Sequence, residues 1–292
     1  MGWILATLIA AGAQTARNAA QRRLTAELGT MGATAVRFLF GLPFALLALA
    51  ALALTTPIPL PGAASLGWAG LGALAQIAAT ALMLNTMESR SFGVTTALLK
   101  TEPVTLALIG ALLLSEPLGP ARMAAIATAV LGVVIISGLR WQHGDWRAAG
   151  LGIAAGALFG LSAIGFRGAI LALPFGASAG RAVSILALSL ALQGLAMVLW
   201  LGLRQPAALR GMVRHWRPSL AAGALGALAS LFWFIGFALT AATNVRTLAL
   251  VEVVMAQIVS GRVFREGASP RHRAGMALIV LGVAALIAAS GL

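Results

Sequence analysis

The stretch KTEPVTLALIGALLLSEPLGPAR, residues 100–122, decides the class of fold. Its apolar part is long enough for a helix that crosses the hydrocarbon core of a bilayer. The stretch nevertheless begins with Lys100 and Glu102, and another carboxylate follows the apolar part at Glu116. The later run LALVEVVMAQIVSGRVFREGASPR repeats this pattern with Glu252. Charged side chains inside apolar helices are costly, so their presence needs a structural or functional reason.

Composition predicts an all-α polytopic membrane protein. Hydrophobic residues make up 60% of the chain and charged residues 9%, whereas soluble domains carry roughly 25% charged residues. The mean hydropathy is +0.98. A soluble core cannot bury so much apolar surface, so most of it must face a bilayer. The net charge of +13 is typical of arginines in short loops under the positive-inside rule, and we expect no nucleic-acid binding.

Apolar runs of sufficient length predict ten membrane-spanning helices, because about 20 residues cross the hydrocarbon core. Short segments that contain prolines separate most of these runs. No stretch has the composition of a soluble domain. The predicted spans are 2–23, 32–55, 63–87, 93–114, 121–139, 148–171, 178–203, 218–240, 244–263 and 271–291.

The first predicted span differs from the others because it is apolar only as far as Ala13. Beyond that point Gln14, Asn18 and Gln21 recur at helical spacing and share one face. A polar face on a spanning helix is expected to face protein or water and not lipid. The alternative is that the helix simply ends near Gln14.

The second half of the chain repeats the first in the same order, at offsets of 144 to 154 positions. This shared order predicts two units of five helices, residues 1–147 and 148–292. Because five is an odd number, the two units cross the membrane in opposite senses, as the inverted repeats of many secondary transporters do. The matches include Arg17 with Arg167, Arg37 with Arg181, Glu102 with Glu252, Glu116 with Glu266, and VLGV at 130–133 with VLGV at 280–283.

The basic residues predict the side of the membrane that each loop faces. The predicted loops after odd-numbered spans hold 14 basic residues, Arg17 among them. The predicted loops after even-numbered spans hold three, Arg246 among them. Because loops rich in Lys and Arg stay in the cytoplasm, this bias places both termini outside.

These residues resemble the hallmark segment of the EamA-type drug/metabolite transporters. In that family a proline in the fourth helix of each repeat is followed by a Gly/Ser-Glu pair and then by an apolar helix that contains glycine. The second repeat of this chain departs from the pattern, since Val253 stands where the proline is expected. The corresponding residues are Pro103, Ser115, Glu116 and Gly132 in the first repeat, and Val253, Arg265, Glu266 and Gly282 in the second.

The resemblance implies a ten-helix transporter of small molecules in a bacterial inner membrane, and the family includes YddG-type amino acid exporters. It implies no cofactor and leaves the oligomeric state open. Many members keep both termini in the cytoplasm. The arginine pattern of this chain favours the opposite orientation, and we follow the chain.

Lys100, Glu102 and Glu252 are the first candidates for a substrate site, because inverted repeats place that site near the midplane between them. Lys100 and Glu102 are two residues apart and point about 200° apart on a helix, so they do not pair directly. The glutamates have two alternative roles: a titratable or substrate-binding carboxylate, or a tie between helices. Glu116 and Glu266 lie at span ends, and we interpret them as structural anchors. Candidate partners for the buried charges are Arg246, Gln76 and Gln257.

The aromatic residues fall into two groups. Trp233 lies in the middle of a span and, with Phe159, is a candidate for stacking against a substrate, with lipid contact as the alternative. Gly152, Gly156 and Gly160 form a stripe that predicts a close helix contact. Tryptophans at span edges are expected to be interfacial anchors; they are Trp3, Trp141, Trp146, Trp200 and Trp216. The complete predicted substrate-binding set is Gln14, Asn18, Gln76, Lys100, Glu102, Phe159, Trp233, Arg246 and Glu252.

The function that fits best is export of small organic metabolites, above all amino acids, by alternating access of two inverted halves. A multidrug, cation or nucleobase exporter is the alternative within the same class, and a channel or a non-transporting scaffold is the alternative in another. An enzyme is not expected: the chain has no cysteine, and His143, His215 and His272 all lie in predicted loops. No metal site and no nucleotide-binding loop are predicted, so energy must come from gradients or another chain.

Overall fold

Long runs of Leu, Ala and Val with few internal breakers fold as helices throughout the chain. The computed structural model describes residues 2–89, 99–100, 102–116, 119–137, 146–254 and 269–289. Within these ranges every regular element is helical, which confirms the predicted all-α class. The helices are α1 (Gly2–Leu39), α2 (Leu42–Ala53), α3 (Ala63–Ser89), α4 (Glu102–Leu114), α5 (Pro120–Ser137), α6 (Trp146–Leu171), α7 (Ser178–Arg204), α8 (Pro206–Arg214), α9 (Trp216–Leu239), α10 (Ala242–Leu248) and α11 (Pro270–Ala289).

Among the described residues, six helical stretches are long and apolar enough to cross a membrane, and α4 and α5 are apolar but shorter. The chain is therefore a multi-pass membrane protein. Parts of four predicted spans lie outside the described residues: 93–98 with 101, 138–139, 255–263 and 290–291. Trp141, His143, Gln257, Arg265 and Glu266 also lie outside them. The six stretches are Arg23–Ala53, Ala63–Thr86, Gly150–Leu171, Ser178–Arg204, Trp216–Leu239 and Pro270–Ala289.

The first helix runs well beyond the predicted end of span one. Gly29 has a φ of 67°, a left-handed conformation that glycine adopts without steric cost, and the helix continues beyond this kink. Arg17 therefore lies within a helix and is only 1% exposed, so its prediction as a loop residue is wrong. Gln21 is buried too and donates a hydrogen bond to Ala33 O at 2.8 Å across the kink. This polar face looks into protein, and the alternative that the helix ends near Gln14 is wrong.

Two helical stretches are interrupted at matching positions. Lys100 forms a turn between the helical residue Leu99 and the start of α4. Ala249 and Leu250 form a turn between α10 and a helical segment that begins at Val251. The two interruptions lie 150 positions apart, the same offset that relates Glu102 to Glu252.

Glycines bring three helix pairs into close contact. A Cβ atom at Gly165 would lie 2.6 Å from Gly72 N, where α6 packs on α3. A Cβ atom at Gly132 would lie 2.6 Å from Gly275 O, where α5 packs on α11. The third pair is α1 with α9. Because any larger side chain would separate these helices, the packing depends on small residues, as is usual between membrane helices.

The outer surface of the molecule carries large apolar side chains, among them Leu112 and Leu203. Trp200 and Trp216 are exposed, as expected of interfacial anchors. Trp3 is 5% exposed and belongs to the hydrophobic core. Its prediction as an interfacial anchor is wrong, because the start of α1 packs inside the bundle.

Candidate functional site

The two interruptions bring Lys100 and Glu252 together. Lys100 Nζ donates to Glu252 Oε1 across 152 positions of sequence. Lys100 stands at the turn before α4, and Glu252 stands in the helical segment after the second turn. Both side chains are largely removed from solvent, at 13% and 16% exposure. The ion pair therefore ties the first half of the chain to the second.

Glu102 faces a different cation. Arg246 Nε lies 3.2 Å from Glu102 Oε1, and both residues are buried. Glu102 is in the first turn of α4, where the helix dipole favours a negative charge. The prediction of Arg246 as the partner of a buried glutamate is confirmed. Its assignment to a loop in the count of basic residues is wrong, because it lies inside α10.

Trp233 connects Arg246 to the first helix. The Arg246 guanidinium lies 4.3 Å from the centre of the Trp233 ring, within the range of a cation–π contact. The indole N–H of Trp233 donates to Gln14 Oε1 at 3.1 Å. Phe237 packs beside this ring, with the two centroids 6.4 Å apart. Trp233 is 3% exposed, so the alternative that it contacts lipid is wrong.

The structure thus joins Gln14, Trp233, Arg246 and Glu102 in one chain of contacts. Lys100 is two residues from Glu102, and Glu252 is six residues from Arg246, so the Lys100–Glu252 pair lies close in sequence to both members of the Glu102–Arg246 pair. Each of the three predicted intramembrane charges has a partner of opposite sign. Glu252 Oε2 has no hydrogen-bond partner among the described residues and is an acceptor site beside the ion pair.

Three further predicted residues have other surroundings. Gln76 Oε1 accepts a hydrogen bond from Gln193 Nε2 at 2.9 Å, in a buried contact between α3 and α7. Asn18 Oδ1 accepts from Arg17 Nη2 at 2.7 Å. Phe159 is half-buried and packs against the hydrophobic core. These contacts stabilise helix packing and do not involve the buried glutamates.

The predicted glycine stripe lies against α4. A Cβ atom at Gly156 would lie 3.1 Å from Leu99 O, and one at Gly160 would lie 3.3 Å from Leu106 Cβ. The predicted close helix contact is therefore confirmed at these two positions. It holds α6 against the interruption that carries Lys100.

Glu116 is an anchor, as predicted. Arg167 Nε donates to Glu116 Oε1. Arg167 Nη1 also donates to Phe237 O and Thr240 O, at 2.5 Å each. These carbonyl groups belong to the end of α9, whose last carbonyls have no partner within the helix. One arginine thus ties α6, the end of α4 and the end of α9 together.

Arg17 and Arg37 are buried charges that the prediction of site residues missed. They are 1% and 3% exposed. Arg37 Nη1 donates to Thr80 Oγ1 at 3.3 Å, a neutral partner. The sequence held a signal for each: Arg17 lies on the polar face of α1 with Gln14, and Arg37 is a charge inside a predicted span. Counting Arg17 as a loop residue concealed the first signal.

One apolar cavity of about 320 Å³ lies between α2, α7 and α9. Its lining is entirely apolar and includes Phe44, Leu186 and Leu228. None of the predicted site residues lines it. Within the described residues, no group of three or more His, Asp or Glu side chains could hold a metal ion.

The helices, the interrupted segments and the buried charges define a multi-pass helical membrane protein. The model of the EamA-like transporter family matches residues 1–138. The first half of the chain is thus similar to a family of membrane transporters, in agreement with the resemblance predicted from the sequence.

A solved crystal structure of a protein shares the fold, with a TM-score of 0.70. The likeness covers 99% of this chain and 96% of that one, at 16% sequence identity. At this identity it establishes the fold and no more. No curated protein matches the chain.

Proposed function

We propose that this protein is a secondary active transporter that exports small organic metabolites, with amino acids as the first candidates. The observation that carries the proposal is the pair of interrupted helices at matching positions, with buried charges between them. Transporters with inverted repeats form their substrate site from such discontinuous helices, near the middle of the membrane. Lys100, Glu102, Arg246 and Glu252 stand at or beside the two interruptions.

Reciprocal contacts between the two halves support the inverted repeat. A Cβ atom at Gly132 would lie 2.6 Å from Gly275 O, and one at Gly282 would lie 2.7 Å from Ala125 O. Adding 150 to 132 and to 125 gives 282 and 275, so the repeat relation turns each contact into the other. Such reciprocity is what a two-fold axis between α5 and α11 would produce. The close pairs α3 with α6 and α1 with α9 are related in the same way.

The proposed mechanism is alternating access, in which the halves 1–147 and 148–292 move around the charged centre. Gly32 and Ala208 offer a test, because a Cβ atom at Gly32 would lie 3.4 Å from Ala208 Cβ; it would also lie 2.8 Å from Leu28 Cβ, so α1 must shift slightly to accept it. This separation is close to that of disulfide-bonded cysteines, and the chain has no cysteine of its own. A Gly32→Cys/Ala208→Cys variant is expected to transport when reduced and to stop when oxidised. Unchanged transport after complete oxidation would contradict movement between the halves.

A screen of solutes in proteoliposomes tests the substrate class. Purified protein is loaded with unlabelled amino acids, nucleobases or cationic drugs, and entry of the labelled compound is followed. We expect exchange with amino acids. Exchange with nucleobases or cations alone would leave a transporter but not this substrate. No exchange with any compound would favour a scaffold.

The proposed transporter also has an expected orientation in the membrane, and we expect its transport to be coupled to protons. Arg17, Arg22 and Arg23 lie within α1 and Arg246 lies within α10. Without them, 11 of the 14 basic residues remain in loops after odd-numbered spans and two of the three in loops after even-numbered spans, so both termini are still expected outside a bacterial inner membrane. Labelling of a terminal cysteine by a membrane-impermeant reagent in whole cells tests this; protection of both termini would contradict it.

Proton coupling through Glu102 predicts that Glu102→Gln changes the pH dependence of transport, and an unchanged profile would remove its basis.

A further inference from the structure

Two arginines inside the bundle, Arg17 and Arg37, have no acidic partner among the residues that the structure describes. Nε and Nη1 of Arg17 and Nε of Arg37 are buried without a hydrogen-bond partner among the described residues. Their hydrogen bonds go to the neutral side chains of Asn18 and Thr80, and the Arg37 guanidinium also lies 5.3 Å from the centre of the Phe38 ring. Burying a charged group without a counter-charge is unfavourable. Such a charge inside a membrane protein therefore indicates a functional role. The arginine pair therefore differs from the other buried charges of this protein.

The four carboxylates whose side chains the structure describes have other partners. Glu102 lies against Arg246, Glu116 against Arg167, and Glu252 against Lys100. Glu27 is exposed and lies 3.8 Å from His215. Among the described side chains, Arg17, Arg37, Lys100 and Arg246 are therefore accompanied by two carboxylates, Glu102 and Glu252, which leaves an excess of two positive charges in this set.

The arginines converge from different directions. Arg17 and Arg37 lie on opposite sides of the kink at Gly29, and both contact the same point of α9, Arg17 with its side chain and Arg37 with its backbone. A Cβ atom at Gly226 would lie 3.3 Å from Arg17 Cδ and 3.7 Å from Arg37 O. The Arg17 side chain therefore passes close to the Arg37 backbone, between α1 and α9. Gln14, which accepts the hydrogen bond from Trp233, lies one turn before Arg17 on α1.

We propose that Arg17 and Arg37 bind the anionic group of the transported solute. A guanidinium group presents a planar set of donors that matches a carboxylate or a phosphate, and unpaired donors on two arginines can hold one such group together. The bound anion would offset the excess positive charge. Arg246 keeps its contacts with Trp233 and Glu102, and its positive charge adds to the attraction for the anion. This inference rests on the proposed transport function and names its substrate class: solutes with a carboxylate or a phosphate, and not cationic drugs.

Binding to the wild-type protein is the first test. Thermal unfolding of purified protein in nanodiscs is followed with L-phenylalanine, L-phenylalaninamide, succinate and inorganic phosphate. The first two compounds differ in the carboxylate alone, so the acid is expected to bind about tenfold to a hundredfold more tightly than the amide. Binding by phosphate alone would support the inference with phosphate as the anion. Equal binding of acid and amide, or no stabilisation by L-phenylalanine, succinate or phosphate, would overturn it.

Substitutions at the two arginines test the site itself. Arg17→Gln and Arg37→Gln are expected to weaken anion binding by about tenfold or more. Because each removes an unpaired buried charge, unfolding without added anion is expected at the same temperature or higher. Arg17→Lys keeps the charge but not the planar donor set, so it should restore part of the binding. The matched control is Arg204→Gln, at an exposed residue at the end of α7, which should bind like wild type.

A structural role would give a different pattern. If Arg17→Gln and Arg37→Gln lowered the unfolding temperature and left anion affinity unchanged, the inference would be wrong. Because the assay measures binding, it is independent of transport. Arginine-dependent binding without flux would reject the transport function and keep the anion site. If flux depended neither on the carboxylate of the solute nor on Arg17 and Arg37, the transport function would stand and the anion site would be rejected.

Discussion

The ion pair between Lys100 and Glu252 gives a quantitative prediction, because it joins the two halves of the chain in a largely dry environment. Replacing Lys100 with Met leaves the Glu252 carboxylate without its partner. Removing one member of a buried ion pair costs about 3–5 kcal/mol, and side-chain exposures of 13% and 16% favour the lower value. We expect Lys100→Met and Glu252→Gln each to lower the free energy of unfolding by about 3 kcal/mol.

The double variant Lys100→Met/Glu252→Gln removes both charges and leaves neither unpaired. It should cost much less than the sum of the single changes, with a coupling energy of about 2–3 kcal/mol. The assay is reversible unfolding of purified protein in mixed micelles, titrated with a denaturing detergent. Lys100→Met combined with Arg204→Gln is the control and should be additive to about 0.5 kcal/mol. Coupling below about 0.5 kcal/mol for the Lys100–Glu252 cycle would refute a direct interaction.

Three further substitutions test the packing and the anchors, each by the free energy of unfolding in the same micelles. Gly132→Leu should destabilise by at least about 1–3 kcal/mol, because its side chain would meet the facing backbone of α11. The control Gly150→Ala, in open space on α6, should stabilise by roughly 0.5–1 kcal/mol. Equal effects of the two substitutions would contradict the close α5–α11 contact. Trp233→Phe keeps a ring under the guanidinium but loses the N–H donor, so a loss of about 1 kcal/mol is expected, and no loss would argue against that hydrogen bond. Arg167→Gln leaves Glu116 unpaired and should cost about 3–5 kcal/mol; a neutral result would mean that the anchor adds nothing.

Composition was sufficient to predict the helical membrane class, because no other fold accommodates such apolar runs. The sequence also indicated that Glu102 needs a cation and named Arg246 among the candidates. It did not indicate that Lys100 pairs with Glu252. Those residues are 152 positions apart, and their meeting depends on how the interrupted segments pack.

The errors at Arg17 and Trp3 have a common physical cause. Hydropathy treats a charged run as the end of a span and a terminal tryptophan as an interfacial residue. In the structure α1 lies inside the bundle, where other helices and not lipid surround its polar face. A window of local sequence does not contain that information. The internal repeat was the better guide, since it matched Arg17 with Arg167, a residue inside a predicted span.

The concentration dependence of solute flux into proteoliposomes tests the proposed carrier most directly. A carrier with one site that opens alternately to each side must saturate, and solute on the far side must accelerate entry of labelled solute. We predict both for an amino acid with a free carboxylate. Flux that rises linearly with concentration, without acceleration by solute on the far side, would contradict the carrier and indicate a channel.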